Sequence, residues 1–133
     1  MSAVVLDTSA VAAVILGESD AEGYAAAMVR YLGDLSISAV TRVELGIVID
    51  ARQGSAAVHD AEAMLDRLAV VTEAVDTDQA RAALAAWRRF GKGRHPAGLN
   101  FGDCFSYALA RTLGGSLLFK GNDFAQTDIA SAL

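Results

Sequence analysis

Cysteine, histidine and proline are nearly missing from this sequence, and each shortage removes a class of protein. The single cysteine, Cys104, excludes an internal disulfide and fits a reducing compartment. With only two histidines, His59 and His95, there is no His/Cys cluster of the kind zinc prefers. Cys104 has no histidine close by in sequence and reads as a small core residue. No apolar run is long enough to cross a bilayer. No basic segment precedes the apolar start, which Asp7 soon interrupts, so no signal peptide is expected either. The expectation is a cytoplasmic protein with no membrane contact. With 53 % hydrophobic residues, residues 1–133 should form a single domain around a proper core.

Positive charge is also scarce. A net charge of −5 argues at first against a nucleic-acid partner. The distribution alters that reading. No acid occurs from Gln79 to Gly102, a stretch holding Arg81, Arg88, Arg89, Lys92 and Arg94. A locally basic segment on an acidic body can track a phosphate backbone. The plainer alternative is a solvated helix face followed by a loop.

What is present is an alternation of strand and helix patterns. Ala3 to Leu6 reads as a strand buried on both faces, ending at Asp7. Thr8 and Ser9 can cap a helix from Val11 to Leu16, and Asp7 itself is a suitable cap. A helix from Ala21 to Leu32 carries Tyr24, Met28 and Leu32 on one face as a core stripe. A strand, Leu35 to Ser38, leads into a helix from Ala39 to about Arg52 with Val40, Val43 and Ile47 as its apolar stripe. Glu44 borders that stripe, where a carboxylate is costly unless something pairs with it.

A helix from about Ala56 to Leu68 turns His59 outward, and Ala69 to Thr72 reads as a third strand. Asp76 or Thr77 then caps a helix whose Ala80, Leu84 and Trp87 are expected inward. Gly91 to Asn100 is irregular and wholly positive, as a substrate-contacting loop would be. A helix opens at Phe101 with Asp103 in its first turn, where a negative charge suits the dipole, and with Phe105, Leu109 and Leu113 packed. Ser116 to Phe119 is the last strand, with Asp123 beyond it, and Asp128 to Ala130 forms a closing element. Such alternation predicts an α/β fold with a parallel sheet between helices.

The carboxyl ends of parallel strands share one edge, so Asp7, Glu44, Asp103 and Asp123 can converge there. Unpaired, they would repel one another, so convergence implies a divalent cation. An all-oxygen ligand set selects Mg²⁺ or Mn²⁺. Carboxylate-held ions with open positions serve phosphodiester hydrolysis.

Four ordered pieces carry a resemblance: Val5 to Ala10, Thr41 to Glu44, Asn100 to Cys104 and Leu118 to Phe124. Together they resemble the PIN-domain ribonucleases, and more narrowly the VapC toxins of bacterial VapBC toxin–antitoxin pairs. The likeness spans nearly the whole chain. It implies a three-layer α/β/α sandwich with a mainly parallel sheet, and a Mg²⁺- or Mn²⁺-dependent endoribonuclease. By that pattern Asp7, Glu44, Asp103 and Asp123 are the catalytic, metal-binding acids. Thr8 or Ser9 orients Asp7 or a metal-bound water. Asn122 stands where many relatives have an acid, a departure that would weaken one metal site. Arg88, Lys92, Arg94, His95 and Asn100 are the candidate RNA contacts. The implied partners are RNA, a VapB-like antitoxin and a second copy in a homodimer.

Two other readings compete. A phosphatase with Asp7 as nucleophile generally wants a second Asp two residues on, where this chain has Ser9. A non-catalytic PIN-like binding module would explain Asn122.

Overall fold

Val4, Val5 and Leu6 are buried on both faces, as an apolar run without alternation requires of a central parallel strand. In the computed structural model, which describes residues 2–133, this strand, β1 (Val4–Leu6), sits inside one sheet. Its companions are β2 (Leu35–Ser38), β3 (Val71–Glu73) and β4 (Ser116–Leu118). The order is β3-β2-β1-β4 and every pairing is parallel. Six helices connect them: α1 (Thr8–Ile15), α2 (Ala21–Arg30), α3 (Ala39–Gln53), α4 (Ser55–Arg67), α5 (Thr77–Phe90) and α6 (Phe101–Leu113).

The chain steps outward from β1 to β3, then returns to lay β4 on the other side of β1. Right-handed crossovers travelling in opposite directions place their helices on opposite faces. Val4, Leu6, Ile37 and Leu118 accordingly pack with Val11 of α1, Met28 of α2, Ile49 of α3 and Leu65 of α4. Val5, Leu117 and Phe119 pack on the other face with Ala83 and Ala86 of α5 and Tyr107 and Ala108 of α6. The result is the expected α/β/α sandwich. The β1–β4 boundary is where strand order reverses, the place where such sheets open a crevice at their carboxyl edge.

Gly115 makes that boundary possible. A Cβ there would overlap the carbonyl oxygen of Ala3 and lie 2.9 Å from its carbon. The next residue, Ser116, donates its N–H to that same oxygen at 3.1 Å, setting β4 in register with β1.

Several expected details differ. Helix α1 starts at Thr8, earlier than Val11, because Asp7 rather than a hydroxyl residue is its N-cap. The third strand begins two residues later than Ala69, which adopts φ 52° and belongs to the turn after α4. A 3-10 turn at Phe124–Gln126 precedes the closing segment, which meets β4 through a bridge centred on Ser131, with Ala130 O accepting the Leu117 N–H at 2.9 Å.

Two helices are rotated from the expected phase. In α3 the buried residues are Thr41, Leu45 and Ile49, while Val43 and Ile47 are 63 % and 65 % exposed. In α5 they are Gln79, Ala83, Ala86 and Phe90, whereas Ala80, Leu84 and Trp87 face out. Leu32 and Leu113 are exposed as well. The cause is physical. Alanines let α5 lie close on α6, and Thr41 can be buried because Ser106 meets its hydroxyl at 3.2 Å.

Candidate active site

Asp7 follows β1 directly and is 3 % exposed. It is buried without a counter-charge, so its oxygens must find hydrogen-bond donors. Oδ2 accepts from the backbone N–H of Ser9 at 3.0 Å and from Ser9 Oγ at 2.6 Å. Oδ1 accepts from Ser106 Oγ of α6 at 2.7 Å. Ser9 Oγ in turn accepts the N–H of Lys120 at 3.0 Å, tying α1 to the segment after β4.

Glu44 reaches the same edge from α3, and Thr8 Oγ1 donates to its Oε1 at 2.5 Å. Its carboxylate lies against the first turn of α6 at Gly102, where a Cβ would come within 2.5 Å of the Glu44 carboxyl carbon. Helix α6 runs back toward β4, so its N-terminus opens on the carboxyl edge of the sheet. Asp103 is held there in a capping box. Asn100 Oδ1 accepts the Asp103 N–H at 2.9 Å, and Asp103 Oδ2 accepts the Asn100 N–H at 3.1 Å. Asp123 is exposed just ahead of the 3-10 turn, with Asn122 exposed beside it.

Asp103 feels the other three acids. Burial first, then the charges of Asp7, Asp123 and Glu44, push the Asp103 carboxyl up to about 7, against the opposing pull of its bond from Asn100. Among the described residues every ion pair lies elsewhere. Lys120, the nearest cation in sequence to Asp123, is paired with Glu18 at 2.8 Å and Asp20 at 3.0 Å. Also among the described residues, no three His, Cys, Asp or Glu side chains lie close enough together to hold a metal ion. Asp7, Glu44 and Asp123 are close enough to help raise the Asp103 carboxyl. An all-oxygen, unneutralised group of this kind fits a hard divalent cation in charge and chemistry.

Thr8 and Ser9 both serve the acids, as expected of one or the other. Sequence reasoning missed Ser106 and Thr41. Both carried a signal, since each lies three residues from an acid on its own helix, Asp103 and Glu44, and therefore on the same face. Cys104 is buried, donates to Asn100 O at 3.2 Å, and is pushed up to about 11 by burial and then by Asp103, which leaves it unreactive as a thiolate.

The basic loop is knitted rather than loose. Gly91 bridges Leu99, and Ala97 and Leu99 are buried anchors. Lys92 and Arg94 project from it, exposed like Arg88. Arg94 stacks 4.9 Å over the Trp87 ring and donates to Arg88 O at 3.1 Å. His95 is engaged locally, edge-on to Phe90 at 5.0 Å, with Nδ1 accepting the Ala97 N–H at 3.0 Å. Asn100 spends its side-chain oxygen on the α6 cap. The structure thus brings Asp7, Glu44, Asp103, Thr8 and Ser9 together, with Asp123 at the rim, and leaves the basic candidates as a separate exposed group.

Gly102 gives a test of this packing. Gly102→Ala should leave the melting temperature within a few degrees, because the obstructed atoms are the free end of a long side chain. The Glu44 carboxylate should swing off Thr8, which a crystal structure of the variant would show. A Glu44 left in place would mean that α6 shifts instead.

A family model described as PIN domain matches residues 4–130. The Mycobacterium tuberculosis protein named Ribonuclease VapC30 is 48 % identical over 131 residues, covering 96 % of each chain. Among solved structures, Mycobacterium tuberculosis VapC20, described as a sarcin-ricin loop cleaving toxin, superposes with a TM-score of 0.81 at 21 % identity, over 96 % of this chain and 97 % of that one. A toxin–antitoxin complex from Klebsiella pneumoniae superposes with a TM-score of 0.68 at 17 % identity, covering 95 % and 93 %.

Proposed function

Because the chain belongs to the PIN-domain family and, within it, to the VapC ribonucleases, we propose that it is a divalent-metal-dependent endoribonuclease toxin acting in the cytoplasm. One observation carries this reading. Four acids from four separate segments meet at one sheet edge with no cationic side chain paired to them, and burial, then the charges of the other three, raises the Asp103 carboxyl to about 7. Asp7, Glu44, Asp103 and Asp123 would hold Mg²⁺ or Mn²⁺. When bound, such an ion supplies an activated water and steadies the charge on the leaving oxygen of the phosphodiester. Ser9 fixes the rotamer of Asp7, Thr8 fixes Glu44, and the α6 cap fixes Asp103, so three of the four acids are set before substrate arrives. Arg88, Lys92 and Arg94 provide exposed charge for the RNA backbone. An antitoxin of the VapB kind fits the same acid-rich edge, which attracts a guanidinium as it attracts a metal ion.

The deciding experiment is incubation of the purified, antitoxin-free protein with total RNA and Mn²⁺, beside an EDTA control. Discrete fragments that disappear with EDTA are expected. Folded protein that cuts nothing with Mn²⁺ would overturn the reading. A Mn²⁺ titration across pH adds an independent check. Below about 7 the ion must displace the Asp103 proton. Affinity should therefore rise about tenfold per pH unit toward 7, releasing close to one proton, and level off above it.

We also assign the outward apolar face to a second copy of the chain. Val43 and Ile47 of α3, Phe101 of α6 at 75 % exposed, and Leu84 and Trp87 of α5 form it. Two grooves of about 580 and 280 Å³ flank Phe101. Ile47→Glu should halve the mass seen by light scattering, with little loss of monomer stability. An unchanged mass would remove this face from the interface.

A further inference from the structure

The proposed function makes Asp7 a metal-binding acid, and the following rests on that assignment. We propose that Ser106, backed by Thr41, is a positioning residue that presents one oxygen of Asp7, Oδ1, to the cation.

A carboxylate oxygen has two lone-pair directions. Oδ2 of Asp7 already accepts two hydrogen bonds, both from Ser9, and Ser9 Oγ is anchored from behind by the Lys120 N–H. Oδ1 accepts one, from Ser106 at 2.7 Å. One lone pair of Asp7 therefore remains open, and Ser106 sets its direction. Asp7 would then meet the ion through Oδ1, the oxygen with the unused lone pair.

The hydroxyl directions follow from charge. An ionised carboxylate accepts only, so the Ser106 hydrogen points to Asp7. Ser106 Oγ, 3.2 Å from Thr41 Oγ1, must then receive the Thr41 hydrogen. The relay runs from Thr41 to Ser106 to Asp7, each donation strengthening the next. Both hydroxyl residues are wholly buried, at 0 % exposure, so no water substitutes for either.

The relay also joins the helices that carry the other acids. Thr41 and Glu44 share a face of α3, and Asp103 and Ser106 share a face of α6. The Thr8 bond to Glu44 closes the ring from the other side. The separation of α3 and α6 is therefore coupled to the aim of Asp7.

The test is Mn²⁺ affinity, read from the free-ion electron paramagnetic resonance signal, for wild type, Ser106→Ala, Thr41→Val and Thr41→Ser, with a melting curve for each. Ser106→Ala should bind about tenfold more weakly. Thr41→Val should weaken binding several-fold although it preserves volume, and Thr41→Ser should bind like wild type although it loses a methyl group. If Thr41 served packing alone, the order of the two Thr41 variants would reverse, and that reversal would overturn the proposal even if Ser106→Ala fails to fold. Wild type that binds while Ser106→Ala binds equally well defeats the relay alone. Wild type that binds no Mn²⁺ defeats the metal assignment and the relay with it.

Discussion

Replacing Asp7 by asparagine should slow RNA cleavage by about a thousandfold, equivalent to about 4 kcal/mol of lost transition-state stabilisation. The chain should still fold. Asparagine matches the shape of aspartate, and its oxygen can keep the Oδ2 position, accepting from Ser9 as the carboxylate does. Its amide then faces Ser106, whose oxygen can accept while its hydrogen turns to Thr41, because either hydroxyl of that pair can donate. The Thr41 hydrogen loses its acceptor in that arrangement, so stability should fall by about 1 to 3 kcal/mol. What disappears is the charge and the open lone pair. Single-turnover cleavage of a labelled RNA, beside a circular-dichroism melt, measures both halves. Cleavage at the wild-type rate would remove Asp7 from the chemistry.

The largest loss of stability is expected at Gly115. Alanine there meets backbone rather than a movable side chain, since its Cβ would overlap the Ala3 carbonyl. Relief requires β1 and β4 to separate, breaking the Ser116 bond to Ala3 and the register from Val4 to Leu6. Overpacking of this kind costs about 3 kcal/mol, which lowers the melting temperature of a chain this size by about 10 °C. Cleavage should fall too, because Ser9 takes its anchor from the segment after β4. A thermal melt with full retention of stability would show that the two strands have slack here.

Much of this arrangement was legible in the order of residues. An apolar run ending in Asp7 reads as a buried parallel strand that delivers a carboxylate to the sheet edge, since strands of this kind carry no competing signal. Asp103 was legible because it falls in the first turn of a helix opening at Phe101, where a negative charge suits the dipole; the capping box with Asn100 came only from the structure. The faces of α3 and α5 were not. Helix α3 carries apolar residues around much of its circumference, and in α5, although its arginines mark a polar side, the bulky Leu84 and Trp87 stand at the margin of the buried face. The phase is decided by how closely α5 can approach α6 and by whether Thr41 finds a partner. Leu84 and Trp87 are bulky side chains of the kind that fill cores, yet the smaller Ala83 and Ala86 are the ones that fit against α6. Ser106 escaped notice for the opposite reason, as a polar residue whose value depends on a contact 99 positions away.

The strand order has a consequence for biosynthesis. Strand β1 lies between β2 and β4, and β4 is the last strand of the sheet to be translated. Until it emerges, Asp7 sits on an unfinished edge, Ser9 lacks the Lys120 amide, and neither Asp103 nor Asp123 has been placed. The acid edge therefore assembles only after β4 has been made, however early β1 to β3 collapse onto their helices.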